Sequence, residues 1–243
     1  MKRLGIIGHG RIGRTLINGI ESGQAGHCVV AGVLTRKHRQ IQGVATHTDL
    51  SAFLATDYDL IIDVAGPAAL KEIAPNAIAV ADIWTVSAVA LADDDFAQTM
   101  VAAIEASGHE LRVLPGVIAG IDSVKAVCVD PDATLHVRVD MPAGSSKDVP
   151  FSGTAREAAA RFPNNVNIAT AAALAGPGLD RTKVTVTCLA GAEPRSIIVE
   201  AKSSVMDVKT RIYPNDHNTE PVHPVGACLI AALADIEAPI AIY

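Results

Sequence analysis

Aromatic side chains are scarce: phenylalanine, tryptophan and tyrosine together make 3% of the 243 residues. A chain so poor in stacking surfaces is a weak candidate for binding nucleic-acid bases, and its net charge of −6 argues against any polyanionic partner. Cysteine is sparse as well. Cys28, Cys128, Cys188 and Cys228 stand alone, without the paired spacing of a zinc site or redox couple, so reduced thiols and no metal are expected. Long apolar runs are missing too. None approaches the ~20 residues of a membrane span, and the apolar stretch after Met1-Lys2-Arg3 is shorter than a signal-peptide core. A cytoplasmic protein with neither nucleic-acid nor membrane partners is the expectation. With 49% hydrophobic residues and few aromatic ones, the core has to be built from Ala, Val, Ile and Leu. The length suffices for one large domain or two modest ones.

What is present begins directly at the N-terminus. The apolar run Leu4-Gly5-Ile6-Ile7 leads into Gly8-His9-Gly10-Arg11-Ile12-Gly13, a G-x-G-x-x-G turn where a strand meets a helix. In a dinucleotide site the first glycine permits the tight turn and the second lets the backbone approach the pyrophosphate. The third lets the helix pack on the strand, and the helix N-terminus offers N–H groups to the anion. Taken alone, such a turn could equally be a glycine-rich connection that binds nothing. Its context favours a site, because Cys28–Leu34 and residues 59–65 read as further buried parallel strands. Gly8, His9, Gly10, Arg11, Ile12 and Gly13 are thus the candidate pyrophosphate contacts, His9 by location.

The end of the second strand bears on which dinucleotide fits. A carboxylate about 20 residues past the glycines would grip the ribose 2′-OH of NAD and repel the 2′-phosphate of NADP. This chain has Thr35-Arg36-Lys37-His38-Arg39 there, a hydroxyl followed by cations. Thr35, Arg36 and Lys37 suit a phosphate, so NADP is expected, with NAD possible. The bland alternative is a solvated basic loop.

The rhythm of the chain changes near residue 115. Before it, strand-like runs alternate with helical ones at 49–54, 67–74 and 93–107; three aspartates suit the last helix's N-terminus and Gly108 its C-cap. After it, residues 135–141 alternate apolar with polar, and 183–189, 196–200 and 205–213 also read as strands. Residues 154–161, 163–174 and 224–236 read as helices. The expected fold is α/β: a Rossmann-type parallel sheet domain over residues 1–115, joined by a helix from 219–243. A second α+β domain for substrate and dimerisation spans 116–218, its mixed sheet carrying helices on one face.

Three stretches carry a resemblance to a known family: Gly153-Thr154-Ala155-Arg156-Glu157-Ala158-Ala159, Phe162-Pro163-Asn164-Asn165-Val166-Asn167-Ile168-Ala169, and the run from Leu174 through Gly176-Pro177-Gly178-Leu179-Asp180-Arg181-Thr182 to Val184. They resemble the L-aspartate dehydrogenase family. Weaker similarity covers Asp63-Val64-Ala65-Gly66-Pro67, the segment around Ser87, and Pro115-Gly116-Val117-Ile118-Ala119-Gly120-Ile121-Asp122. The resemblance implies a Rossmann domain, a substrate domain, a homodimer and oxidation of an amino acid to an imine. It also implies that Ala65, Gly66, Pro67 and Ser87 lie along the cofactor. Val117 stands where the family has an alanine at the cofactor, and Asn167 matches an asparagine at the nicotinamide end.

The chain departs from the family on the substrate side. Members carry Asn-x-His on a strand after the Thr182 region, the histidine serving as acid/base; counting without a gap from Asn167 puts Ile197 there, and small shifts give Ser196 or Arg195. The family's Asn-Pro-Lys-Thr-Ser is replaced by Glu220-Pro221-Val222-His223-Pro224, and the serine of its Ser-Gly-Ala loop by Pro115. Amine oxidation still needs a base. His223, at the start of the last helix, is the candidate, with His217 the runner-up and Asn167 positioning the reacting groups; Arg195 could hold a substrate carboxylate. Each histidine could instead be an exposed loop residue. A small, carboxylated amino acid or its imine is the expected substrate. A carbonyl or semialdehyde reductase, or a non-catalytic NADP-binding protein, is an alternative on the same scaffold.

Overall fold

A computed structural model describes residues 1–141, 149–189, 195–214, 221–236 and 238–239. The chain divides into two compact units, Met1–Gly116 with Asp216–Tyr243, and Val117–Asn215.

The first unit holds β1 (Lys2–Ile7), α1 (Arg11–Glu21), β2 (Cys28–Leu34), β3 (Thr46–His47), α2 (Leu50–Leu54), β4 (Leu60–Asp63), α3 (Pro67–Ala77), β5 (Asp82–Thr85), α4 (Asp94–Ser107) and β6 (Leu111–Val113). Its six strands are all parallel, in the order β3-β2-β1-β4-β5-β6. Strand order reverses between β1 and β4, which opens a crevice at the C-terminal strand ends. Continuous apolar runs make the central strands, since a parallel sheet is buried on both faces; all four residues of β4 are buried. Asp93 caps α4 by accepting from the Phe96 N–H, and Gly108 ends it in the left-handed conformation, φ 74°.

The second unit contains α5 (Ile121–Val127), β7 (Thr134–Met141), β8 (Phe151–Thr154), α6 (Ala155–Arg161), α7 (Asn167–Ala175), β9 (Lys183–Cys188), β10 (Ser196–Lys202) and β11 (Asp207–Ile212). The sheet order is β11-β10-β7-β9-β8, with β7 and β9 parallel and the other neighbours antiparallel. Alternation along β7 turns Leu135, Val137 and Val139 inward, where α7 packs, and His136 and Arg138 to the other face. The expected mixed sheet is present. Thr154 and Glu157 form a reciprocal capping box at α6.

The helix expected from 163 starts four residues later, at Asn167. Asn164 and Asn165 favour a turn, which the Asn165 N–H closes onto the Phe162 carbonyl. The turn between β10 and β11 lies two residues later than expected, at 203–206, where Ser203 ties back to Met206 and Ser204 binds Asp130.

The last helix, α8 (Pro224–Asp235), belongs to the first unit, where Leu229 and Leu233 join a core with Leu4, Ile6, Leu16 and Ile17. Gly226 faces Thr15 and Gly19 faces Ile230. Both pairs advance in the same direction, so α8 runs parallel to α1 and both N-termini point to one end.

Candidate functional site

The glycine turn is built for close approach. Gly8 has φ 103°, and a Cβ there would stand 3.0 Å from Ala65. A Cβ on Gly13 would overlap the Gly8 carbonyl, whereas one on Gly10 would meet nothing within 4 Å. Two of the glycines are thus demanded by the protein's own packing and the middle one opens outward. Backbone bonds from Gly8 N–H to Leu34 and from Val64 N–H to Ile7 seat the turn between the ends of β2 and β4. Gly10 is the N-cap of α1, no side chain caps that helix, and its first turn, which includes Arg11 and Ile12, holds no acid. A phosphate fits this end by charge and by donors.

His9 supplies a second mark of an incomplete site: its Nδ1 is buried with no hydrogen-bond partner. Burial first, then the charges of Arg14 and Arg39, hold the His9 ring below the ordinary imidazole range. The ring is therefore neutral near pH 7, beside two cations.

Beyond β2, Arg36 and Lys37 are exposed, as the sequence suggests. Thr35 differs from expectation. Its buried hydroxyl donates to the Lys37 carbonyl at 2.9 Å, so it shapes the basic turn rather than offering its proton to a ligand. Ser87 likewise has a partner within the protein. It is 1% exposed and donates to Asp63 at 2.7 Å, facing inward from the strand ends. Gly66, at φ 101°, opens α3 with Pro67 in its first turn and no side-chain cap, a second uncapped helix start after a strand of the same sheet.

Asp63 joins these elements. It is fully buried at the end of β4 and accepts from the Ala65 N–H at 3.1 Å, the Thr85 hydroxyl at 2.8 Å and the Ser87 hydroxyl. Burial pushes its carboxyl above the usual range, opposed by these hydrogen bonds. Sequence reasoning missed it because its partners lie 22 and 24 residues away.

His223 is the N-cap of α8. Its ring Nδ1 accepts from the Val225 N–H at 3.2 Å, and its backbone N–H donates to Thr15 Oγ1 at 2.9 Å. An accepting Nδ1 places the proton of the neutral ring on Nε2. The histidine stands at the α1 N-terminal end of the first unit, held by a capping bond that proton uptake at Nδ1 would break. His217 lies outside the described residues.

In the second unit Asn167 is the first residue of α7, Val117 is partly buried, and Arg195 directly precedes β10. Ile197 is 1% exposed and pairs with Val139 and Ile212 on the helix-covered face. On the ungapped count the place of the family's histidine thus falls on an apolar core residue, and with a small shift on Ser196 or Arg195. Ser196 turns the other way, donating to Asp140, which also accepts from Thr187 at 2.6 Å. Asp140 is a buried acid that sequence reasoning passed over, although the alternation of β7 sets it on the face of His136 and Arg138.

Among the described residues no group of three or more His, Cys, Asp or Glu could hold a metal, and no helix is long and apolar enough to cross a membrane.

A doubly wound sheet with this strand order and a bare glycine turn at its switch point are the parts of a dinucleotide-binding domain, followed by a separate mixed-sheet unit. Residues 8–114 match the NAD-binding domain of homoserine dehydrogenase, and residues 116–236 the C-terminal domain of aspartate dehydrogenase. The chain is 32% identical to L-aspartate dehydrogenase 2 of Bordetella pertussis, over 94% of this chain and 92% of that protein. It is 37% identical to an L-aspartate dehydrogenase of Acinetobacter baumannii over 53% of this chain and 56% of that protein. The aspartate dehydrogenase structure from Thermotoga maritima superimposes with a TM-score of 0.79 over the full length of both chains, at 21% identity. The chain belongs to the aspartate dehydrogenase family.

Proposed function

We propose that this protein is an NADP-dependent dehydrogenase that interconverts a small carboxylated amino acid and its imine or 2-oxo acid, with L-aspartate the first substrate to assay. The observation that carries the cofactor reading is the exposed Arg36–Lys37 turn after β2, with no acid at the ribose position. Arg14 and Arg39, close enough to depress His9, add positive charge. In this reading Gly8, His9, Gly10, Arg11, Ile12 and Gly13 hold the pyrophosphate. Thr35 shapes the turn from which Arg36 and Lys37 meet the 2′-phosphate. Ala65, Gly66 and Pro67 line the other half, with Ser87 acting through Asp63, while Val117 and Asn167 border the nicotinamide. The cofactor, when bound, accepts or gives hydride.

The chain's own work is to hold the carboxylate, exclude water and move a proton. Arg195 is the proposed carboxylate fork. His223 is the proposed proton acceptor, and its geometry attaches a condition: to take a proton at Nε2 the ring must shift to the Nδ1–H tautomer and release Val225. Helix capping and proton transfer are thereby coupled. A homodimer through the face of the second unit's sheet opposite α7 completes the proposal.

Turnover of oxaloacetate and a panel of 2-oxo acids with NADPH, with and without ammonium, tests the reading. Ammonium-dependent oxidation of NADPH supports it. Ammonium-independent turnover favours a carbonyl or semialdehyde reductase.

A further inference from the structure

We propose that the buried carboxylate of Asp63 is the counter-charge to an oxidised nicotinamide ring and sets how much more tightly this protein holds the oxidised cofactor than the reduced one. The inference rests on the nicotinamide reading above.

Asp63 is 0% exposed at the last position of β4. Its partners are all neutral: the Ala65 N–H and the hydroxyls of Thr85 and Ser87. Thr85 Oγ1 in turn accepts from the Ser87 N–H at 2.9 Å, so two strand ends are knotted around one carboxylate. Among the described residues no Lys, Arg or His forms an ion pair with it, and no cation contributes to its shifted acidity. Burial without a counter-ion disfavours the charged form of this carboxyl, so a cation brought beside it would stabilise the anion.

Position says which cation. In a sheet of this order each half receives one mononucleotide. The β1–β2 half carries the basic turn of Arg36 and Lys37, so the ends of β4 and β5 fall to the nicotinamide half. There the two redox forms are nearly the same size and shape. The oxidised ring carries a positive charge and the reduced ring none. A buried anion beside that half distinguishes them by charge, because Coulomb interactions reach further in a poorly screened interior than in water. A carboxylate that only tied β4 to β5 would treat both forms alike.

Isothermal titration of the wild-type protein with NADP+, NADPH and 2′-phospho-ADP-ribose, repeated on Asp63→Asn, decides the matter. Asparagine keeps the shape and one acceptor but removes the charge. In the wild type the oxidised form should bind more tightly than the reduced, and its ring should add affinity beyond that of the ringless fragment. Asp63→Asn should lower the ratio of NADP+ to NADPH affinity about tenfold, or about 1.4 kcal/mol, with NADPH binding largely kept. An unchanged ratio in the variant overturns the proposal, as does a wild type that prefers NADPH. If Asp63→Asn fails to fold, the three wild-type titrations still decide. Should neither redox form bind the wild type, the nicotinamide reading itself falls, a result distinct from an unchanged ratio.

Discussion

At the scale of single residues, charge and tautomer carry the testable content. Arg36→Asp should weaken NADPH binding by more than tenfold while sparing NADH, measured by fluorescence titration at two salt concentrations, since an exposed phosphate contact is screened. His223 allows its two duties to be separated. Asparagine caps a helix well but transfers no proton, so His223→Asn should cut turnover by about 10²–10⁴ with little loss of stability. His223→Ala should lose both. Equal turnover in the wild type and His223→Asn would remove the histidine from the chemistry. His9 gives a pH signature: its folded value lies below its unfolded one, so the folded state binds fewer protons and stability falls as pH drops through the unfolded imidazole value. Thermal melts from pH 7.5 to 5.5 should show a loss that His9→Asn reduces. Gly8 and Gly13 were legible in the sequence because a backbone requirement leaves a residue type behind at fixed spacing. Asp63 and Asp140 were not, because a buried carboxylate is recognised by hydroxyls that only the folded sheet brings to it.

At the scale of elements, the end signals were the readable part. Asp93 and Gly108 bracket α4 as expected, and Asp93→Ala should lower stability by about 1 kcal/mol in urea titration through loss of the Phe96 cap and the Lys71 ion pair. The short strands β5, β6 and β8 passed unnoticed, since three or four residues carry too little periodicity to register. That α8 would return to the first unit could be expected, but not that it would lie against the helix of the glycine turn. The cause is a pair of glycines, Gly19 and Gly226, that let the two backbones approach. Gly226→Val would press a side chain into Thr15, whose Cγ2 lies 2.6 Å from the position of an added Cβ. A cost of about 1–3 kcal/mol is expected, and cofactor affinity should fall with it as α1 shifts.

At the scale of the whole molecule, the fold class followed from one change of rhythm near residue 115, because parallel and antiparallel sheets leave different patterns of burial. The face of the second sheet opposite α7 carries His136, Arg138, Thr185 and Glu200, each partly buried. Sedimentation at micromolar concentration should give twice the monomer mass, and Arg138→Glu should shift the protein towards the monomer if this face joins two copies. The parallel pairing of α1 with α8 also has a consequence during biosynthesis. The ribosome delivers the glycine turn and its helix early, yet the chain that covers that helix emerges only after the whole of Val117–Asn215. At about 5–20 residues per second, the groove for Leu229 and Leu233 stays open for about 5–20 seconds. The nascent first unit thus presents an apolar groove until α8 arrives to fill it.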